Sequence, residues 1–426
     1  MEKKVVKLEH ITRIEGRLNI TIVLKGSEIV STKAEALEGT RLLEKILIGR
    51  KYYEIPDIVS RMCGVCQAIH RVTAVQALEK AFNIEIPDEL KMIRELVVLS
   101  GQIQSHILHL YAFVLPDFLG YSSMLEMFKK YGSIVKSALK LKKLANRITE
   151  ITGGRAVHPI TPIVGGLSKI PSRRELESIL YTAKNIKNLC MDLIDIILSL
   201  DMPDFKRKTN YLSLYSTSKY PILEGDPKIY GKNVFRQEEY DKYIEPIPEE
   251  YSYARHYILK GIGEYMVGAL ARFNNNYQSL SEDAREIADK YDLKFPSYSP
   301  FDNNKAQAIE MIHLSDAMIE IAEELIESPP KIKRVKFDVK EGNGISITEA
   351  PRGLLIHHYK VSKNGKIVEA NIITPTAQNY KNIEADIKSY LPKLLAENSQ
   401  NIKLEIEKLV RAYDPCVSCS ARFLKL

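Results

Sequence analysis

Asp414-Pro-Cys416-Val-Ser-Cys419-Ser-Ala-Arg-Phe-Leu-Lys-Leu426 and Arg61-Met-Cys63-Gly-Val-Cys66-Gln-Ala-Ile-His70 are the two stretches whose reading decides this chain. Each carries a C-x-x-C pair, and the fifth cysteine, Cys190, stands alone. Two dithiol loops 350 positions apart, from 66 to 416, make chemical sense if they close on one metal centre. Four thiolates select soft or borderline metals such as zinc, iron or nickel. A zinc ribbon brings its two pairs within about 12–20 residues of each other, far closer than here. The cysteines alone leave three readings: a structural zinc site, a catalytic metal, or a set of redox dithiols.

At 426 residues the chain is long enough to bury a large core. Its 45% apolar and 27% charged content is that of an ordinary globular protein. The formal charge of +7 is spread out. Its densest run, Lys136, Lys140, Lys142, Lys143 and Arg147, falls at helical spacing and reads as a solvated helix face; without a recognised motif it argues against nucleic acid as a partner. No apolar run reaches the 18 or so residues of a membrane span. The first residues, Met-Glu-Lys-Lys-Val-Val-Lys, lack the apolar core of a signal peptide, and cysteine spacing suited to metal rather than disulfides fits the reducing cytoplasm.

The periodicity predicts a mainly helical α+β protein folding as one unit over 1–426, a long helical bundle flanked by small β regions at about 5–36 and 333–376. In the first, Ile20–Leu24 and Ile29–Thr32 flank Lys25-Gly-Ser27 as a hairpin or small sheet. A helix begins at Gln67 and places His70 in its first turn. The most apolar long helix is expected at about 88–115, ended by Pro116, with His106 and His109 on or beside its apolar stripe as satisfied core residues. Further helices are expected at 122–151 and 172–201, the second burying Cys190 as a small apolar thiol. Short strands and loops follow over 203–252, then helices at about 254–292 and 304–328. In the second β region Val335–Val339, Gly353–Tyr359 and Ile367–Ile373 read as strands, with Asn364-Gly365 as a hairpin turn. Helices at about 379–396 and 400–413 lead into Asp414-Pro415, which turns the chain out to present Cys416.

The flanks of the two cysteine pairs resemble the signature stretches of the large, catalytic subunit of nickel–iron hydrogenases. The first is Arg41-Leu-Leu-Glu44, a gap, then Ser60-Arg-Met-Cys63-Gly-Val-Cys66; the second is Tyr413-Asp-Pro-Cys416-Val-Ser-Cys419. Arg13-Ile-Glu-Gly16, Ser105–Tyr111, Thr152–Pro159, Glu349-Ala-Pro-Arg-Gly353 and Thr374-Pro-Thr376 resemble the family in the same order. The stretch Leu115–Ser123 is most similar to soluble archaeal sulfhydrogenases and deazaflavin-non-reducing enzymes.

The resemblance implies reversible heterolytic cleavage of dihydrogen. By position, Cys63 and Cys416 would be terminal nickel ligands, and Cys66 and Cys419 would bridge nickel to an iron carrying carbon monoxide and cyanide. Glu15 would carry protons to the surface, although Arg17 stands where the family often has histidine. Glu44 would ligate a structural cation, usually magnesium, as hard oxygen ligands suit that ion. His70 would donate to a bridging thiolate, Asp117 would stand behind the metals, and Thr376 would donate to a cyanide. Arg352 would offset a buried dianion, and Asp414 would tune Arg352 or a terminal cysteine. After four site cysteines only Cys190 remains, too few for an iron–sulfur cluster, so an iron–sulfur small subunit is implied, with further diaphorase or reductase subunits.

The family also implies maturation factors and an endopeptidase that removes a tail, here the short peptide 423–426. Arg422 stands where the family has a cation-binding histidine. Either the cation is absent, or a new C-terminal carboxylate and neighbouring carbonyls replace the imidazole, or the guanidinium fills the cation's place against Glu44, which its two-bond pairing with a carboxylate favours. A hydrogenase-derived, non-catalytic subunit of a respiratory-type redox complex is the other-class alternative; such relatives have lost the metal cysteines that this chain keeps.

Overall fold

The structure, a computed structural model, describes residues 3–26, 28–37, 43–399 and 401–420. Arg41, Leu42, Arg422 and the peptide 423–426 lie outside the described residues. Four long helices, Asp88–Ile107, Met124–Gly153, Arg173–Leu198 and Asp302–Glu327, pack against one another as the expected bundle. They form because each carries an apolar stripe at helical spacing, for example Ile179, Ile186 and Cys190 facing the core. Two of their starts are capped: Ser123 accepts from the Glu126 N–H, and Ser172 and Glu175 form a reciprocal box. Burying each large aliphatic side chain of these stripes contributes roughly 1.5–3 kcal/mol before chain entropy is counted.

The most apolar helix does not run to Pro116 as the sequence suggested. Regular α-helix stops at Ile107, widens into a π-type turn over Leu108–Val114, and resumes as Leu115–Leu119. Pro116 sits in the first turn of that last piece, where its missing N–H costs nothing, and Gly120 at φ 76° ends it. The helix expected over 254–292 is also corrected. That segment contains strands His256–Leu259 and Tyr265–Met266 before helices Ala269–Asn276 and Glu282–Lys290. Gly261, Gly263 and Gly268, all at positive φ, break the helical pattern there.

An antiparallel meander of Lys3–Leu8, Leu18–Lys25 and Glu28–Ala36 forms the first β region. The second is another meander, Gly342–Ala350, Gly353–Val361 and Ile367–Ile373. Val335–Val339 is not one of its strands. The true first strand begins Gly342-Asn-Gly344, a composition that imitates a turn. Glycine is there for packing: a Cβ on Gly344 would lie 1.9 Å from the Ala77 carbonyl oxygen of helix Gln67–Phe82. A third small sheet joins Asn210–Tyr215 to Asp226–Ile229 and Tyr265–Met266.

Where the bundle meets the second meander, a charged cluster is buried. The Arg272 guanidinium donates to Glu310 (2.6 Å twice) and Glu349 (2.9 Å). It also donates to the carbonyls of Ala350 (3.1 Å) and Pro351 (3.3 Å), which fixes the turn leading into Arg352. Tyr220 and His106 complete the shell of Glu310. Burial pushes the Glu349 carboxyl up to about 7, against an ordinary 4.5, despite the pull of Arg272. Between those values the folded state holds a proton that the unfolded chain has released, so this group's contribution to stability falls as pH rises through that window. The loss is on the order of 3 kcal/mol. Denaturant melts of the parent and Glu349→Gln at about pH 5 and pH 7 should show a shallower pH slope in the variant, whatever its absolute stability.

Candidate metal centre

The cysteine loop Cys63–Cys66 runs directly into helix Gln67–Phe82, so Cys66 occupies the N-cap and faces the positive end of the helix. The N–H groups of Val65 (3.1 Å) and Cys66 (3.3 Å) both point at Cys63 Sγ. Opposite, Cys416 and Cys419 come from the segment after helix Ile402–Ala412. Sulfur separations are 3.1 Å for Cys63–Cys66, 3.1 Å for Cys66–Cys419 and 3.4 Å for Cys63–Cys416. All four sulfurs lie within 4.8 Å of one another, buried and unoxidised.

Their electrostatics divide them. Hydrogen bonds from the Cys416, Cys419 and Cys63 thiols outweigh burial and draw Cys66 well below the ordinary thiol value. Burial pushes Cys416 and Cys419 well above it. Cys66 thus gives up its proton more readily than Cys416 or Cys419, and metal binding to thiols releases protons. Cys190, pushed up to about 12 by burial in its own helix, takes no part.

The loop around Glu15 clasps the second cysteine pair. The Glu15 N–H donates to the Pro415 carbonyl (3.3 Å), and the Val417 N–H donates to the Glu15 carbonyl (2.8 Å). The Glu15 carboxyl then accepts from the Cys416 thiol (3.1 Å), the Ser418 N–H (3.1 Å) and the Ser418 hydroxyl. The Cys416 N–H donates to Thr376 Oγ1 at 2.8 Å, which leaves the threonine's own proton free to be given elsewhere.

Arg352 donates through Nε to the Asp414 carbonyl (2.7 Å) and through Nη2 to the Asp414 carboxylate (2.9 Å). Burial alone would weaken the guanidinium's hold on its proton. Asp414 and the sulfurs of Cys416, Cys63 and Cys66 reverse that and hold it well above its usual value. Asp414 adopts φ 50°, a left-handed conformation that aspartate tolerates, and so turns the chain from helix into the cysteine segment.

The remaining candidates lie further out. His70 Nδ1 meets His357 Nε2 at 3.0 Å, and His357 Nδ1 meets the Tyr359 hydroxyl at 2.6 Å. Glu44 is half-buried and accepts from the Ile372 N–H at 2.8 Å. Asp117 pairs with Arg411 (2.5 and 3.0 Å) and with Arg13. Sequence reasoning does not single out Ser418, Thr374, His109, Gln307, Arg411 or His357 as site residues. Ser418 had a signal in plain view, a hydroxyl between the two cysteines. Gln307 had none, since it reaches the site from a helix remote in sequence.

Polar atoms left unpaired suit a bound group. Arg352 Nη1 is buried without a partner, and so is Thr374 Oγ1, at the helix start that carries Thr376. A cage of four thiols bordered by unused donors fits a soft metal centre whose own ligands accept hydrogen bonds.

Such a cage in this fold is that of a nickel-dependent hydrogenase, and the chain belongs to that family. Residues 41–138 and 211–422 match the family model described as nickel-dependent hydrogenase. The chain is thus an oxidoreductase acting on dihydrogen, of the catalytic large-subunit type. It is 34% identical to the alpha chain of sulfhydrogenase 2 from Pyrococcus furiosus, over 99% of this chain and 100% of that one. It is 30% identical to a chain of the vhu F420-non-reducing hydrogenase from Methanocaldococcus jannaschii, over 90% of this chain and 97% of that one. The fold superposes on an NAD+-reducing [NiFe]-hydrogenase solved in the H2-reduced state, with TM-score 0.90, 24% identity and coverage of 98% and 99%. Among the described residues no helix is long and apolar enough to cross a membrane.

Cys416→Ser puts a hard hydroxyl in place of a soft sulfur. Nickel content by elemental analysis should fall to background and dihydrogen isotope exchange should vanish. Normal nickel loading in that variant would remove Cys416 from the ligand set.

Proposed function

We propose that Cys63 and Cys416 are terminal ligands of nickel, and that Cys66 and Cys419 bridge it to an iron bearing carbon monoxide and cyanide. Bound there, this pair of metals would supply the electrophile that polarises dihydrogen. The chain's own residues do the rest. The Cys416 sulfur is the base, because the Arg352 guanidinium, held well above its usual value, does not give up its proton. Glu15, 3.1 Å from that sulfur, takes the proton onward, with Ser418 fixing its carboxyl in place. The contact between Glu15 and Cys416 is the single observation that carries this reading, since it joins the base to the first stage of an exit route.

Arg352 supplies positive charge beside the thiolates, its free Nη1 serving an acceptor on the iron, and Thr376 donates to a cyanide. His70 orients the bridging Cys66. Glu44 would hold a magnesium ion. Asp117 braces the cysteine segment through Arg411. Electrons leave through an iron–sulfur small subunit; the sulfhydrogenase relatives are themselves named as alpha chains, which supports an assembly of several different chains. Further reductase or diaphorase subunits, metal-inserting maturation factors, cleavage after Arg422 and a cytoplasmic setting complete the proposal, with the chain folding as one unit.

Glu15→Gln keeps the shape and removes the transferable proton. Dihydrogen turnover by the purified complex should drop on the order of 10²–10⁴-fold while nickel and iron stay bound. Parental turnover would send the proton by another route. Arg352→Lys keeps the charge and loses the planar fork, so the rate should fall about 10²-fold with metals in place. An unchanged rate would reduce Arg352 to packing.

A further inference from the structure

The pairing of Arg352 with Asp414 poses a problem of charge. A guanidinium engaged by a carboxylate at 2.9 Å has little net charge left to offer four thiolates. The hydrogen bonds on the far side of Asp414 resolve it.

His109 lies in the widened turn Leu108–Val114 and is 1% exposed. Its Nε2 sits 2.7 Å from the Arg411 carbonyl oxygen, which can only accept, so Nε2 carries a proton. Its Nδ1 sits 2.5 Å from Gln307 Oε1. Gln307 in turn donates through Nε2 to the Asp414 carboxylate at 3.3 Å. Rotating that amide would let it donate to a bare Nδ1, but would then set its oxygen against a carboxylate already held by Arg352. The orientation that satisfies Asp414 presents an acceptor to Nδ1 as well. Both ring nitrogens thus face acceptors, and the ring lies 4.0 Å from the Asp414 carboxylate.

The charged groups around this ring are consistent with a cation. Asp414 is adjacent. The Arg411 guanidinium is turned away, toward Asp117, Glu407 and the Thr12 carbonyl. Glu310, one turn along the helix from Gln307, is engaged by Arg272, His106 and Tyr220.

We propose that His109 is a buried imidazolium which, through Gln307, balances Asp414 and so releases the charge of Arg352 to the metal cage. His109 is a positioning and charge-setting residue and touches no reacting atom. The inference rests on the reading of Arg352 given under Proposed function.

The test uses the assembled, metal-loaded complex with His109→Gln, which can keep a hydrogen bond but not the charge, beside Arg352→Lys. With less positive charge at the cage, the carbon monoxide and cyanide stretching bands should move to lower wavenumber in His109→Gln, and the rate should fall about tenfold. A role in packing alone would leave the bands in place. Unchanged bands and rate in His109→Gln, with both altered in Arg352→Lys, would overturn the role of His109 and leave that of Arg352 intact. No change in either variant would overturn both. Should His109→Gln fail to take up metal, ring-nitrogen NMR of the ¹⁵N-histidine-labelled full-length parent decides. One ring should keep two similar, protonated nitrogens at about pH 8, where a solvated histidine is neutral. Finding only split, neutral pairs would sink the proposal.

Discussion

Four thiols within 4.8 Å, drawn from opposite ends of the sequence and buried, form the constraint on which everything near them depends. Thiols this close cannot all ionise without help, and burial compounds the difficulty. The answer is distributed. Backbone N–H groups point at Cys63, the helix beginning at Gln67 lends its positive end to Cys66, and a guanidinium stands beside the cage. A metal replaces the missing protons with firmer positive charge, so affinity for the metal and tolerance of the buried thiolates are one quantity seen from two sides.

Keeping a guanidinium in place inside a protein requires a second layer of polar contacts, because a half-satisfied buried charge is costlier than none. Arg272 provides one fixed point, gripping the Ala350 and Pro351 carbonyls from a socket of two carboxyls. Asp414 provides the other. The first lies on the far side of the turn and the second on the cysteine segment, so Arg352 ties the second β region to the metal cage. Movement of either would be felt at the sulfurs.

Much of this is legible in the order of the amino acids alone. The cysteine pairs, their flanks and the order of the supporting motifs lead to the four-thiol cage, and apolar periodicity leads to the bundle. The Asn364-Gly365 turn follows from its composition. What escapes the sequence does so for identifiable reasons. A π-type turn at Leu108–Val114 preserves an apolar stripe, so periodicity runs through it unbroken. Gly342 and Gly344 look like turn residues but are there because helix Gln67–Phe82 leaves no room for a Cβ. Val335–Val339 alternates as a strand should, yet its pairing ends after the Gly166–Arg334 bridge and the Val335 N–H bond to the Gly165 carbonyl. Ser418, His109 and Gln307 meet partners that only the folded chain brings within reach.

The clasp between the Glu15 loop and the segment around Cys416 also sets a timetable. A ribosome adding about 5–20 residues per second leaves roughly 20–70 s between the emergence of Cys66 and that of Cys416. Throughout that interval the first dithiol is an open claw, able to seize stray zinc or to oxidise. The last strap cannot close over it until Cys416 has itself emerged. Whatever loads this protein must therefore reach the site before the latch falls, or be able to lift it again.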